Sequence, residues 1–199
     1  MIFLPTAKYL LGISVIWGIM RALIVGVRSQ GPDLIAGELL RLFAGVGVHG
    51  AMTVFREHEM LICYVSLGDT RFLIPIANDA DVLIAMGIWG CLRGLGHVRS
   101  GGFVLLIKDE ESSTYEPFEV RPKLSLLRSL AEERGLLLRV VDLRGIGAGD
   151  PRSMVAWLLG FLSEILRLDP AKLKAEIEGE LRGLFENGWE YARSSLSAR

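Results

Sequence analysis

Apolar and polar positions alternate along the chain so that short apolar runs are separated by longer segments with helical spacing. A continuous apolar run of a few residues is typical of a strand buried on both faces of a sheet. Such runs predict strands at residues 22–27, 52–55, 61–67, 71–74, 82–86, 103–108 and 136–141. Apolar residues that recur every three or four positions predict helices at 32–44, 89–93, 124–135 and 152–167, and a last helix that begins at 170.

The order of these elements indicates an α/β protein. Strands that alternate with helices form a three-layer α/β/α sandwich, in which helices cover both faces of one sheet. The strands at 52–55, 61–67 and 71–74 follow one another too closely for a helix to lie between them, so part of the sheet is antiparallel. We therefore expect a mixed, mostly parallel sheet in a single domain over residues 20–192, followed by a tail at 193–199.

The helix at 152–167 is apolar nearly all round, which is typical of a helix buried in a core or in an interface. Trp157 and Phe161 lie one turn apart on one of its faces. Large aromatic side chains placed in this way are suitable anchors for a partner protein. The pattern alone leaves both interpretations open, a central core helix and an interface helix.

The N-terminal segment is apolar from residue 9 to residue 27 except for Arg21, which is long enough to suggest a membrane span of about 20 residues. Arg21 interrupts the run, and a polar turn follows it, so a strand followed by a turn and a helix explains the pattern better, in a domain that begins at Met20. We expect residues 1–19 to be an N-terminal apolar extension, with a misassigned start and a membrane anchor as open alternatives. The remaining chain is expected to be cytoplasmic and not bound to a membrane.

Composition excludes several classes of partner and cofactor. The net charge of −1 gives no basic face for a nucleic acid. Cys63 and Cys91 both lie in apolar sequence and are too few for a zinc or iron–sulfur site, so we expect two reduced core thiols and no metal. Hydrophobic residues make up 51% of the chain, which favours burial of its surface against partner proteins.

The most informative segment is the turn between the first strand and the first helix. Glycines at such a turn let backbone N–H groups approach a phosphate, and the positive end of the helix dipole assists. Arg28 would add a positive charge. The alternative is an ordinary strand-to-helix turn without a ligand. The candidate cofactor-binding residues are Gly26, Arg28, Ser29, Gln30 and Gly31.

The histidines and one charged run give weaker signals. His49 and His58 flank a predicted strand and could approach the same edge, where a histidine can act as a general acid or base. His97 is expected in a loop. The charged run at residues 56–59 lies between apolar strands and is expected to be a solvated turn. No catalytic residue follows from these patterns.

Several short motifs follow one another in a recognisable order over roughly residues 20–192. They are Leu23-Ile24-Val25-Gly26-Val27 with Gln30-Gly31, Val48-His49-Gly50, Ile74-Pro75 with Ala80-Asp81-Val82, Gly101-Gly102, Leu159-Gly160 and Phe185-Glu186-Asn187-Gly188-Trp189. In this order and spacing the chain resembles the gamma-type subunit or domain of the 2-oxoacid:ferredoxin oxidoreductases (pyruvate/ketoisovalerate type), most closely the beta subunit of indolepyruvate oxidoreductase. Arg28 and Ser29 replace two glycines of the family's turn, and Ser153 stands near a family asparagine. Residues 56–59 stand near the family's arginine-containing loop, so the resemblance offers a second interpretation of this run, as a loop that faces a partner subunit.

The resemblance implies an accessory subunit that is not catalytic alone. Thiamine diphosphate and iron–sulfur clusters would be held by partner oxidoreductase subunits, with ferredoxin as an indirect partner, and this chain alone would bind no cofactor. The complex would carry out oxidative decarboxylation of a 2-oxoacid. Because the turn has lost glycines, the alternative is a non-enzymatic α/β binding or scaffold protein that kept the fold and lost the site.

Overall fold

The computed structural model describes residues 20–68, 79–108 and 123–197, and one six-stranded sheet lies at its centre. The strands are β1 (Met20–Val27), β2 (His49–Glu57), β3 (Met60–Gly68), β4 (Ala80–Met86), β5 (Val98–Ile107) and β6 (Leu137–Val141), in the order β2-β3-β1-β4-β5-β6. The first strand begins at Met20, two residues before the predicted start at residue 22. The strand predicted at 71–74 lies outside the described residues.

The strand directions confirm a mixed, mostly parallel sheet. β1 pairs with β4, β4 with β5, and β5 with β6 in parallel, whereas β3 is antiparallel to both β1 and β2. The chain reverses between β2 and β3 through His58 and Glu59, and His58 adopts a positive φ of 54°. A two-residue connection of this kind forces antiparallel pairing.

Helices cover both faces of the sheet. They are α1 (Pro32–Gly45), α2 (Gly87–Leu95), α3 (Leu124–Glu133), α4 (Pro151–Leu166), α5 (Pro170–Ala175) and α6 (Arg182–Ser197). The apolar residues of α1, α4, α5 and α6 share one core with one face of the sheet, and those of α2 and α3 share a second core with the other face. The predicted three-layer α/β/α sandwich is confirmed.

The helix α4 is a core helix, and the alternative that Trp157 and Phe161 anchor a partner is wrong. Both side chains are fully buried, and their rings stack with centroids 5.6 Å apart. The indole N–H of Trp157 donates a hydrogen bond to Asn187 Oδ1 at 3.0 Å. The chain's own α6 therefore occupies the face that a partner would have needed.

The C-terminal segment differs from the single helix expected from residue 170. It forms α5, a short 3₁₀ turn at Gly179–Leu181, and then α6. The side chain of Arg182 bonds the carbonyl of Ile177 at 3.3 Å, which satisfies an acceptor exposed by the break. The break lets Leu173 and Phe185 both reach the core. The last helix continues past Ala192 to Ser197.

The chain leaves the sheet on opposite faces after β1 and β4, since α1 follows β1 on one side and α2 follows β4 on the other. A crevice forms at the carboxyl ends of parallel strands where the connections diverge in this way. Within the ranges described, no helix has the length and apolar character needed to cross a membrane.

Candidate functional site

A cleft of about 130 Å³ lies at the carboxyl ends of β1, β4, β5 and β6. Its walls include Ser29, Gln30, Met86, Lys108, Arg144 and Pro151. Each wall comes from a different segment, so the order of the strands in the sheet creates the cleft. In α/β proteins with this arrangement, the carboxyl edge is the usual place for a ligand.

The turn after β1 is closed by groups of the protein itself. Gln30 Oε1 accepts a hydrogen bond from the N–H of Val27 at 2.8 Å. The N–H of Arg28 donates to the carbonyl of Glu59 at 2.8 Å, and the N–H of Gly31 donates to the carbonyl of Arg28 at 3.1 Å. Three N–H groups of a possible phosphate cradle are therefore already paired, which favours the interpretation as an ordinary strand-to-helix turn.

Packing and backbone conformation explain why the turn has glycine at positions 26 and 31. A Cβ on Gly26 would lie 2.6 Å from Gln30 Oε1 and 2.9 Å from Met86 Cβ, so a side chain at this position would displace the closing glutamine. Gly31 adopts a φ of 62° at the start of α1, a conformation that favours glycine. Their presence therefore does not by itself require a phosphate.

The five predicted cofactor-binding residues separate into three groups in the structure. Ser29 and Gln30 line the cleft, and Ser29 also borders a shallow depression formed with Val27, Arg28 and Glu59. Arg28 thus lies on the hairpin side of the turn, away from the other cationic side chains of the cleft. Gly26 and Gly31 shape the turn. A phosphate-binding role for these residues stays a prediction.

Two cationic residues of the cleft, Lys108 and Arg144, were not predicted from the sequence. Lys108 directly follows β5, and its N–H donates to the carbonyl of Val141 at 2.8 Å. Arg144 lies in the loop after β6, where the N–H of Ala148 bonds the carbonyl of Leu143 at 2.7 Å. Their positions just after parallel strands were the signal that could have identified them.

The N-terminus of α4 forms another wall of the cleft, and the Asp150 side chain caps this helix. Asp150 Oδ1 accepts hydrogen bonds from the N–H groups of Arg152 at 3.0 Å and Ser153 at 3.1 Å. A hydrogen bond from the Ser153 side chain, followed by the bond from the Ser153 N–H, lowers the pKa of Asp150 below its usual value. The cap uses these two N–H donors, and Lys108 and Arg144 are the cationic groups among the described walls of the cleft.

The chemistry available in the cleft is that of an anion-binding site. Lys108, Arg144 and the Ser29 hydroxyl offer two positive charges and a donor, which suit a carboxylate or a phosphate group. In the part of the chain that the structure describes, no three His, Cys, Asp or Glu side chains come together as a metal site.

The predicted histidine pair does not form. His49 begins β2 and His58 follows its end, so the strand between them keeps them about 30 Å apart. His97 lies in the turn before β5, as expected, with its ring against Tyr64 at a centroid distance of 5.8 Å. The run at 56–59 forms the end of β2 and the hairpin turn, where Arg56 bonds the carbonyl of His58 at 3.2 Å.

The two cysteines are core residues, as predicted. Cys63 and Cys91 are both fully buried and unbonded to each other. Burial raises the pKa of each thiol to about 12. Since the thiolate is the reactive form, neither cysteine is suited to nucleophilic or redox chemistry in the folded protein.

Comparisons with known proteins give a result at the level of structure. No protein-family model matches the sequence, and neither does any curated protein. Solved structures do match. The 2-oxoglutarate:ferredoxin oxidoreductase from Magnetococcus marinus, solved with 2-oxoglutarate, coenzyme A and succinyl-CoA bound, superposes on 92% of this chain with a TM-score of 0.60 and 13% identity.

Two further solved structures are separate subunits. The gamma subunit of a keto/oxoacid ferredoxin oxidoreductase from Geobacter sulfurreducens matches 91% of the chain with a TM-score of 0.57 and 13% identity. The pyruvate oxidoreductase subunit PORC from Thermotoga maritima matches 87% with a TM-score of 0.56 and 14% identity. The chain has the fold of these subunits. It spans 98% and 96% of their lengths, but only 32% of the Magnetococcus chain.

Proposed function

We propose that this chain is a gamma-type accessory subunit of a 2-oxoacid:ferredoxin oxidoreductase complex. In this proposal, partner subunits hold thiamine diphosphate and the iron–sulfur clusters and carry out the oxidative decarboxylation, with ferredoxin as the electron acceptor. The shared fold supports the proposal, and so does the order of motifs described above. A specific closeness to the indolepyruvate oxidoreductase beta subunit remains a prediction.

The observation that carries the proposal is that three exposed apolar side chains lie toward the end of the sheet that holds the cleft. Leu34, Leu126 and Ile146 have 69%, 48% and 39% of their surface exposed. Exposed apolar side chains at one end of a domain favour a surface there that binds another protein. A subunit that acts through a complex is expected to have such a surface, with its cleft facing the partner.

The places where α1, the loop after β6 and α3 begin explain why these three side chains lie toward the same end of the sheet. Leu34 lies in the first turn of α1, which starts at the carboxyl end of β1, and Ile146 lies in the loop after β6. The far end of α3 lies at the amino end of β5, because Arg134 bonds the carbonyl of Val98 at 3.3 Å. Leu126, at the start of α3, is therefore displaced about 10–15 Å toward the carboxyl end.

For the cleft itself we propose an anionic ligand. The Magnetococcus enzyme was solved with 2-oxoglutarate, coenzyme A and succinyl-CoA, which carry carboxylate or phosphate groups. Lys108, Arg144 and Ser29 suit either group, and the turn contributes Ser29 and Gln30 to the cleft wall. The chain would thus help to complete a site shared with its partner.

The second candidate function is a non-enzymatic scaffold or binding protein with the same fold. The hydrogen bond from Val27 to Gln30 favours it, because a turn closed by its own side chain has lost donors that a phosphate cradle needs. The two candidates differ in their partners. An accessory subunit must bind a thiamine-diphosphate-binding subunit, whereas a stand-alone scaffold need not.

The test is co-purification of the tagged full-length chain from the organism that encodes it, followed by mass spectrometry. We expect a thiamine-diphosphate-binding subunit in a stoichiometric amount. Leu34→Gln should reduce its recovery at least fivefold. The matched control is Ala44→Gln, at an exposed position near the other end of the same helix, which should leave recovery unchanged. A chain that purifies alone would favour the scaffold.

A further inference from the structure

The two edge strands of the sheet, β2 and β6, differ in whether their outer backbone groups are hydrogen-bonded by other described residues. At the β6 edge, the Tyr191 hydroxyl donates a hydrogen bond to the carbonyl of Val140 at 3.4 Å. The guanidinium of Arg139 donates one to the carbonyl of Leu138, also at 3.4 Å. These carbonyls are two residues apart and so lie on the same side of the strand. At the β2 edge, no backbone group on the outer side receives a hydrogen bond from the described residues.

Over residues 50–55, the β2 strand also lacks the features that normally prevent pairing at a sheet edge. It pairs with β3 in one unbroken register from His49 opposite Gly68 to Glu57 opposite Met60, so it has no bulge. Residues 50–55 contain no proline and no charged side chain. Val54 and Phe55 are 41% and 51% exposed. A long regular edge of this kind is a template for an added strand.

We propose that a second copy of this chain binds at this edge, with the two β2 strands paired antiparallel around a two-fold axis at Thr53. The two sheets would then form one continuous sheet across the dimer. In a two-fold interface, the same surface is used by both copies, so the strand must be complementary to itself.

The side chains of β2 meet this requirement in the proposed register. Thr53 lies opposite Thr53 of the second copy, which is a favourable cross-strand pair. On either side, Met52 lies opposite Val54, and the small Ala51 lies opposite the exposed Phe55. At the ends, His49 lies opposite Glu57, whose carboxylate also pairs with Arg93 at 3.1 Å and keeps acceptor positions for the imidazole.

The proposed dimer is separate from the proposed function. The edge strand β2 lies at one end of the sheet order, whereas the cleft lies between β1 and β6. Pairing through β2 therefore leaves Leu34 and Ile146 accessible to another protein. The proposed dimer depends only on the β2 edge. It is therefore independent of which partner binds at the cleft.

Disulfide crosslinking tests the register directly. The only two cysteines of the chain are buried, so an introduced cysteine is the accessible thiol. Thr53→Cys would place the two thiols on directly opposed residues, with Cβ atoms about 5 Å apart, close to the separation that a disulfide needs. Ala51→Cys is the matched control on the same face, because its two copies would lie about 13 Å apart.

We expect mild oxidation to give a covalent dimer of the full-length Thr53→Cys protein and at least fivefold less with Ala51→Cys. Equal crosslinking of both variants would overturn the proposed register. Crosslinking of Thr53→Cys to another protein in place of a second copy would overturn the proposed occupant.

A second measurement does not depend on cysteine chemistry. Sedimentation of the unmodified full-length chain should show a dimer whose population rises with concentration. Val54→Lys should shift the equilibrium toward monomer at least tenfold, because it brings two lysines close to the axis. Leu126→Lys, at an exposed apolar position outside β2, should have no effect on it. A chain that stays monomeric, as it would if another segment of the same chain covered the edge, overturns the proposal.

Discussion

Gly160 in α4 and Gly188 in α6 lie where these two helices cross with their backbones in contact. A Cβ on Gly160 would overlap the carbonyl oxygen of Phe185, and a Cβ on Gly188 would overlap that of Trp157. Neither obstacle is a flexible side chain that could move aside. The close crossing holds α6 over the buried face of α4, and this placement makes α4 a core helix.

We expect Gly160→Ala or Gly188→Ala to lower the free energy of unfolding by at least about 2 kcal/mol, because the added methyl group must push two helix backbones apart. Chemical denaturation of each variant measures the change. Gly37→Ala is the control, since a Cβ on this helical glycine of α1 would meet no heavy atom within 4 Å. It should gain up to about 1 kcal/mol from helix propensity. A neutral result at Gly160 and Gly188 would contradict the close crossing.

The cleft should bind inorganic phosphate through Arg144 more than through Arg28. We expect Arg144→Gln to weaken the affinity about tenfold or more, because a hydrogen bond to a charged group contributes about 1.5–3 kcal/mol. Arg28→Gln should change it less than threefold, since Arg28 lies beside Glu59 on the hairpin side of the turn. Calorimetric titration measures both. Equal losses would instead support the phosphate cradle predicted for the turn.

The cap at Asp150 should make stability depend on pH in the acid range. Its pKa is lowered in the folded protein, so the stabilisation is fully present above the unfolded value near 3.8 and is lost as the pH falls through the folded value. Asp150→Ala should cost about 1 kcal/mol at pH 7. Unfolding measured from pH 7 down to pH 2.5 should show this difference shrinking below about pH 4. A difference that stays constant over that range would exclude a charged cap.

The thiols of Cys63 and Cys91 should be unreactive in the folded protein. With both pKa values raised to about 12 and both side chains buried, the thiolate fraction at pH 7.5 is negligible. A maleimide reagent should label neither cysteine within an hour and both after unfolding, as counted by mass spectrometry. Rapid labelling of the native chain would show that one of the two core regions opens.

Local features of the sequence determined the elements and the class of fold. The buried apolar runs set most strands, because a strand covered on both faces must be apolar at nearly every position. Asp150 and Pro151 set the start of α4. The side-chain cap from Asp150 and the fixed φ of Pro151 both act within a few residues. The short connection between the strands predicted at 52–55 and 61–67 set the antiparallel part of the sheet, because it leaves no room for a helix. Each of these signals depends only on near neighbours.

The tertiary structure alone decided the features that depend on distant contacts. An all-round apolar helix has the same pattern in a core and in an interface, so only the crossing at Gly160 shows that α4 is covered by its own chain. The break before α6 follows from the same packing. Lys108 and Arg144 come together because β5 and β6 are neighbours in parallel, and Gln30 closes the turn because Val27 lies within reach. Strand order and side-chain contact fix these relationships, and neither is encoded in the local periodicity of the chain.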